Sequence, residues 1–415
     1  MLIIYPLASK THSEEYYNRI LSRYKKVLST FDNVEVFNTV TSLHEVEKIQ
    51  PEEHDVPILL FLTGGTSKLG IELARKYRKP VIVIAHGEHN SLPSALSCKG
   101  KCEILGLPCI TLYSNVPEEI VREFTKIHRA YSAYSYIKSL RILLIDSKKK
   151  TKDAQQFENI VKGSTVIPIP PEVLDEEVSS INDANIERQV KLLIEAKKIT
   201  GMHEHYRHVK NALKYYLAFK ELIAENKANA LTLDCFNFII RRGITPCLPL
   251  ALLNSEGIPA ACEEDYHSLI LLALSMKLTG KPGWIGNPSA IDSDLMVFAH
   301  CTIALALSKS IKLLPHFETG LPIAVSGNVP SQECILARIT YDYKRLLLYP
   351  CKVIKSGLLS NNRCRTQIHL RFSNISPREF IEEAKGNHHV LIADSKVLEL
   401  LKYTGTLLGL RTRII

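Results

Sequence analysis

Short apolar runs alternate with polar-amphipathic stretches through the first third of the chain. The runs fall at 2–7, 34–37, 57–62, 80–84 and 108–113, and segments such as 13–28, 68–78 and 117–137 between them carry helical periodicity. The runs recur roughly every 25 residues, which is too far apart for hairpins but suits parallel strands joined by crossover helices. The pattern predicts a doubly wound, flavodoxin-like α/β layer of about five strands.

A second α/β unit is predicted next. Strands are expected at 141–145 and 165–169, followed by a long charged helical stretch, 186–226, with Gly201 as its break. Further strands follow at 230–235 and 258–262, and then a helix at 266–278 that is apolar nearly all round and so must be buried. Beyond residue 280 helical periodicity gives way to short β-rich pieces at 297–302, 311–314, 322–326, 334–341, 346–354 and 366–372. Gly and Asn turns separate several of them, as in an antiparallel barrel or sandwich. Residues 376–409 return to helix, strand and helix. The expected division is an N-terminal α/β domain over 1–138, a second α/β domain over 139–280, and a β-rich, barrel-like domain over 281–415.

Composition narrows the class without naming it. A length of 415 residues exceeds what one hydrophobic core supports, and 46% hydrophobic with 23% charged residues is ordinary for a soluble globular protein. No apolar run reaches the roughly 18 residues of a membrane helix. The opening run lacks the basic lead and cleavage site of a secretory signal, so a cytoplasmic protein without a membrane partner is expected. Ten cysteines are scattered, several within apolar stretches, which predicts buried, reduced thiols. The net charge of +9 comes from local clusters such as 148–150 and 241–242, with no aromatic-rich basic module, so a nucleic-acid partner is not expected.

Candidate chemistry concentrates where the apolar strand 258–262 runs into Glu263, Glu264 and Asp265, just before the buried helix. In an extended segment alternate side chains share a face, so Glu263 and Asp265 are expected to point together and Glu264 away. Crowded carboxylates need a metal or a shared proton. Helix capping accounts comfortably for one of the three acids. His300 closes the strand at 297–302, with Asn287, Asp292 and Asp294 near it in sequence, and Gly386-Asn387-His388-His389 forms a turn before another apolar strand. Such donors suit Mn²⁺, Co²⁺, Mg²⁺ or Zn²⁺. Other signals have plainer accounts. Gly64-Gly65-Thr66-Ser67-Lys68 lacks the residue order of a P-loop, and Cys98 and Cys102 have no second pair to complete a zinc site. His203, His205 and His208 are expected on a solvated helix face, and His86, Glu88 and His89 lie at the ligand-binding edge of the first sheet.

The motifs CEEDYHSLILLALSMKLTGKPGWIGNP, VFAHCT, PHFETG, NNRCRTQ and GNHHVLI occur in an order that resembles the L-fucose/L-arabinose isomerase superfamily, in particular its shorter microbial fucose-isomerase-like members. LTGGTS and HNSLPSAL near the N-terminus resemble the same group. The resemblance implies a metal-dependent aldose–ketose isomerase acting through an ene-diol on a small-molecule sugar, with Mn²⁺ as the expected metal and Co²⁺ or Mg²⁺ as alternatives. It implies Glu263 as metal ligand and acid/base, Asp265 near the same centre, with Asp265 or Glu264 left to supply the second catalytic acid, and His300 and His388 as ligands, His389 being the alternative to His388. Asn287 occupies the place of a second acidic ligand, which the family carries. The loop bearing His86 and His89 is implied to reach a neighbouring subunit's site in a homo-oligomer, a trimer or hexamer. Arg365 and Gln367 either bind sugar hydroxyls or support the barrel. The asparagine at 287 keeps open a second reading, a catalytically silent sugar- or metabolite-binding relative.

Overall fold

The first five apolar runs become strands within one or two residues of their expected ends. In the computed structural model, which describes residues 1–53, 55–195 and 199–415, they are β1 (Leu2–Leu7), β2 (Val34–Val36), β3 (Val56–Phe61), β4 (Val81–His86) and β5 (Cys109–Ser114). They form a parallel sheet in the order β2-β1-β3-β4-β5, the flavodoxin-like winding. β1, β3 and β4 are buried along their whole length because both faces are covered. Ile4, Ile58 and Ile84 face the helices Glu14–Leu28 and Ile120–Lys138, while Ile3, Leu59 and Val83 on the other face pack with residues of Ser67–Tyr77 and Ser91–Ile104. The helix Leu398–Leu407 supplies Tyr403 and Leu407 to the first of these cores. This compact unit comprises Met1–Tyr134 with Glu399–Arg411, and a second comprises Ser135–Leu398 with Thr412–Ile415.

The second unit opens with another parallel layer. β6 (Arg141–Ile145), β7 (Thr165–Ile169), β9 (Ala230–Leu233) and β10 (Ala260–Ala261) pair in the order β10-β9-β6-β7, and the two-residue β8 (Ile199–Thr200) pairs elsewhere. The strand expected over 230–235 stops at Leu233 because Asp234 caps the helix Cys235–Arg242, accepting the Asn237 amide at 3.1 Å. The helical stretch 186–226 divides into Asp183–Glu195 and Tyr206–Glu225, with Gly201 between them at φ +84°. His203 and His205 therefore precede the second helix, and only His208 of the three rides on it. The helix Tyr266–Thr279 is buried around most of its circumference, as its uniform apolarity requires.

The remaining strands follow, six of them among the described residues forming a closed antiparallel barrel. They are β11 (Trp284–Asp292), β12 (Leu295–His300), β13 (Ile311–Leu314), β14 (Ala324–Gly327), β15 (Glu333–Ile339), β16 (Arg345–Gly357), β17 (Thr366–Phe372), β18 (His389–Ile392) and β19 (Arg411–Ile414). The order β15-β18-β11-β12-β17-β16-β19, with β15 also pairing β16, closes the ring and leaves β19 outside it. β13 lies between β14 and β8 in a small separate sheet. β11 has weak strand character in sequence, because Pro288 and polar residues interrupt it. The register shift between Pro288 and Ala290 absorbs that interruption as a bulge.

Candidate active site

β10 ends at Ala261, and the chain then makes an abrupt turn before the buried helix. Glu263 and Glu264 both adopt the left-handed conformation, at φ 58° and 51°. That region is sparsely populated by non-glycine residues, and two in succession represent stored strain of the kind that clusters at functional sites. Three contacts hold the turn: Glu264 N donates to Leu233 O at 2.8 Å, Asp265 N to Cys262 O at 3.2 Å, and Glu263 N to Cys235 Sγ at 3.3 Å. Asp265 then caps the helix Tyr266–Thr279, accepting from Ser268 N at 3.0 Å and from Ser268 Oγ at 2.5 Å. The segment is therefore not extended. Glu263 and Asp265 still converge, and Glu264 departs to accept from Thr151 Oγ1 and from Tyr266 OH.

The barrel brings two histidines to this turn. His300, at the end of β12, places Nε2 3.8 Å from Glu263 Oε1 and 3.3 Å from Cys262 Sγ. His388, directly before β18, places Nε2 3.3 Å from Glu263 Oε2 and Nδ1 2.8 Å from Asp265 Oδ2. His389, the neighbour, is fully buried among Phe298, Phe380 and Tyr349, and its Nδ1 faces Asn387 O. Burial pulls its pKa down to about 3, so His389 is a neutral core residue and His388 is the one that faces Glu263. Asn287 sits on β11 one position beyond the Gly286–His389 pair, and its buried Oδ1 has no partner.

The electrostatics follow from this clustering. Burial pushes Glu263 up, but the imidazoles of His300 and His388 more than offset it and hold the carboxyl well below its usual range. Asp265 is likewise raised by burial and lowered further by His267, His388 and Ser268. Burial pulls His388 down, while Asp265 and Glu263 together bring it up to about 9. Contact with Cys235, together with burial, pushes the Cys262 thiol up.

Three of these residues could hold a metal ion. Ligand atoms of Cys262, Glu263 and His300 all lie within 4.8 Å of one another. His388 Nε2 is buried without a hydrogen-bond partner although it faces a carboxylate oxygen, and Asn287 Oδ1 is orphaned on the adjoining strand. The cluster that could hold a metal ion is thus Cys262, Glu263 and His300. The Asp265–His388 contact of 2.8 Å fixes the orientation of that ring. In front of Glu263 opens a cavity of about 320 Å³, lined also by Asp153, His267, Tyr341, Tyr343, Asn387 and His388, a volume at the small end of small-molecule sites.

The chain is similar to the sulfoquinovose isomerase of Clostridium sp. (strain MSTE9). The two are 25% identical over 264 residues, covering 60% of this chain and 57% of that protein's length. No protein-family profile matches the chain.

The other expected site residues lie elsewhere. His86 and His89 belong to the first unit. His86 is buried, with Nε2 on Leu62 O and Nδ1 accepting from Glu88 N, so both ring nitrogens are occupied. His89 stacks on Tyr16 with ring centroids 3.6 Å apart and meets His12. Gln367 is fully buried and donates to the carbonyls of Ser360 and Cys364. Arg365 donates to Pro315 O and lies over Phe317. Neither lines the cavity beside Glu263. Two contributors had no role assigned from sequence. His267 was within the CEEDYH motif, and it stacks on Tyr343 at 4.0 Å and places Nδ1 3.5 Å from Asp265 Oδ1. Cys262 opens the same motif at the end of an apolar run, and its Sγ lies 3.3 Å from His300 Nε2.

Proposed function

We propose that the chain is an aldose–ketose isomerase whose centre is Glu263, His300 and His388. The convergence of one carboxylate with two imidazoles carried by separate strands, at the mouth of a sugar-sized cavity, is the observation that carries this reading. Similarity to a sugar isomerase supports it. Glu263, His300 and His388 would hold a divalent metal, with Asn287 Oδ1 and Cys262 Sγ as further donors. Mn²⁺ suits the oxygen and nitrogen donors, and Co²⁺ suits those and the thiol. Such a metal supplies Lewis-acid polarisation of the sugar carbonyl.

The residues do the rest. Glu263, kept ionised by its neighbours, serves as base for the carbon-bound proton beside the carbonyl and returns it to the adjacent carbon. Asp265 holds His388 in the tautomer that presents Nε2 toward Glu263. His267 and Tyr343 wall the cavity and limit water around the ene-diol.

The test combines metal analysis of the purified full-length protein with an aldose panel containing L-fucose, L-arabinose and sulfoquinovose, assayed with added Mn²⁺ or Co²⁺. Ketose formation that vanishes in Glu263→Gln, with the far-UV spectrum and melting profile retained, is the expected result. Wild-type turnover in Glu263→Gln would remove Glu263 from the mechanism. Asn287, standing where a second acid is expected, favours the other reading, a silent sugar-binding relative. Sugar binding without turnover on the whole panel would select that reading.

A further inference from the structure

Arg338, on β15, is 1% exposed, and no carboxylate pairs with it among the described residues. A guanidinium is always charged, and a buried charge without a counter-charge is costly. Its contacts account for only part of its donor capacity. Nη1 donates to His388 O at 2.7 Å. The Tyr341 ring packs on the guanidinium, with the centroid 4.4 Å from Cζ. The backbone of Gly386 packs on it too, so closely that a Cβ there would lie 2.3 Å from Nη2 and 2.6 Å from Cζ. Nε and Nη2 are buried and have no partner. These two nitrogens form the side-on edge of the guanidinium, the edge that takes two oxygens of an oxyanion at once.

The neighbours of Arg338 place it next to the candidate active site. Tyr341, Asn387 and His388 all line the cavity in front of Glu263. Tyr341 is 57% exposed and is held over Arg338 by a hydrogen bond of 2.8 Å from its hydroxyl to Asn387 Oδ1. The cavity wall itself carries Asp153, Glu263, Glu264 and Asp265 and no Lys or Arg. The wall therefore offers no guanidinium or ammonium of its own to pair with an oxyanion.

We propose that Arg338 is the oxyanion receptor of this site, that Tyr341 is its movable cover, and that the substrate is an aldose bearing a tetrahedral oxyanion, sulfonate or phosphate, at the end remote from its carbonyl. The proposal rests on the isomerase reading for the sugar, while the anion site stands on Arg338 alone. Displacement of Tyr341 from Asn387 opens the Nε–Nη2 edge to the cavity. The carbonyl end of the sugar then lies toward Glu263, and the oxyanion end toward Arg338.

The experiment has two arms on the full-length protein. In the first, kcat/KM is measured for an aldohexose, its 6-phosphate and its 6-deoxy-6-sulfonate, with wild type and with Arg338→Met. The ratio of charged to neutral kcat/KM is expected to fall about 100-fold in the variant, the scale for truncating one partner of a buried charge pair. The preferred charged sugar identifies sulfonate or phosphate as the group recognised. An equal loss on all three sugars, or a wild type without preference for charge, overturns the proposal and leaves the isomerase intact. In the second arm, sulfate and methanesulfonate are titrated calorimetrically, which needs no turnover and so separates failure of the anion site from failure of the isomerase reading. Wild type is expected to bind and Arg338→Met is not, while Tyr341→Ala, an exposed change that leaves the fold in place, is expected to bind several-fold more tightly. Sulfate affinity indifferent to both Arg338→Met and Tyr341→Ala overturns the proposal.

Discussion

At residue scale the site depends on atoms whose neighbours leave them little choice. Gly386 has φ +141° and lies against Arg338, so any side chain there meets both backbone strain and a collision. Gly386→Ala is expected to lower stability by about 2–4 kcal/mol, combining the cost of the disfavoured conformation with overpacking, as read from denaturant midpoints. Cys262 offers a spectroscopic test of the centre, since a thiolate bound to Co²⁺ produces a near-ultraviolet charge-transfer band. Cobalt-loaded wild type should show that band, and Cys262→Ser should lose it while still binding cobalt. Its persistence in the serine variant would exclude Cys262 as a ligand. None of this was legible from residue type. Cys262 lies in an apolar run and reads as core, and Arg338 lies in an apolar strand with nothing nearby in sequence to mark its unpaired edge.

At the scale of elements, the decisive one is the four-residue turn between β10 and the helix Tyr266–Thr279. Alternation along an extended strand groups Glu263 with Asp265 and sets Glu264 opposite; His388 touches the first two, yet all three acids line the cavity. Two left-handed residues replace the extended segment, and Glu263 and Asp265 meet through His388, whose Nε2 faces Glu263 and whose Nδ1 faces Asp265. Helix capping, the plain account of the acids, does hold for Asp265. Asp265 thus has two duties that substitutions can separate. Asn caps helices about as well as Asp, so Asp265→Asn should retain nearly wild-type stability. It should also lose roughly 10- to 100-fold in metal affinity, because the support behind His388 is gone. Asp265→Ala should lose the cap as well, at about 1 kcal/mol. Paired metal titrations and thermal melts of the two variants check both statements, and unaltered metal affinity in Asp265→Asn would dissociate Asp265 from the centre.

At the scale of the whole molecule, the chain returns to its first unit near its end. The apolar period of residues 398–407 marks a helix but not its destination, because Tyr403 and Leu407 join the core of strands nearly 400 residues upstream in sequence. Leu407 is 3% exposed there, so Leu407→Ala should destabilise that unit by about 2–5 kcal/mol. Differential scanning calorimetry should show the transition of this unit moving to lower temperature. An unchanged thermogram would place Leu407 outside the core. Among the described residues no helix is long and apolar enough to cross a membrane.

Local periodicity carries the architecture. Runs buried on both faces define the parallel layers, a uniformly apolar helix must be interior, and short strands with turn residues must close on themselves to satisfy their edges. Those inferences need only neighbours in sequence, and the five-stranded sheet, the buried helix and the barrel follow from them. The site follows a different physics. Glu263 meets His300 and His388 only because a parallel layer and a barrel in one compact unit bring both imidazoles to within 3.8 Å of its carboxylate. Whether a histidine faces that centre, as His388 does, or the aromatic core, as His389 does, depends on strand register. Sequence supplied the candidate acids and histidines, while tertiary structure selected among them, because burial and the absence of a partner are properties of a place rather than of a residue.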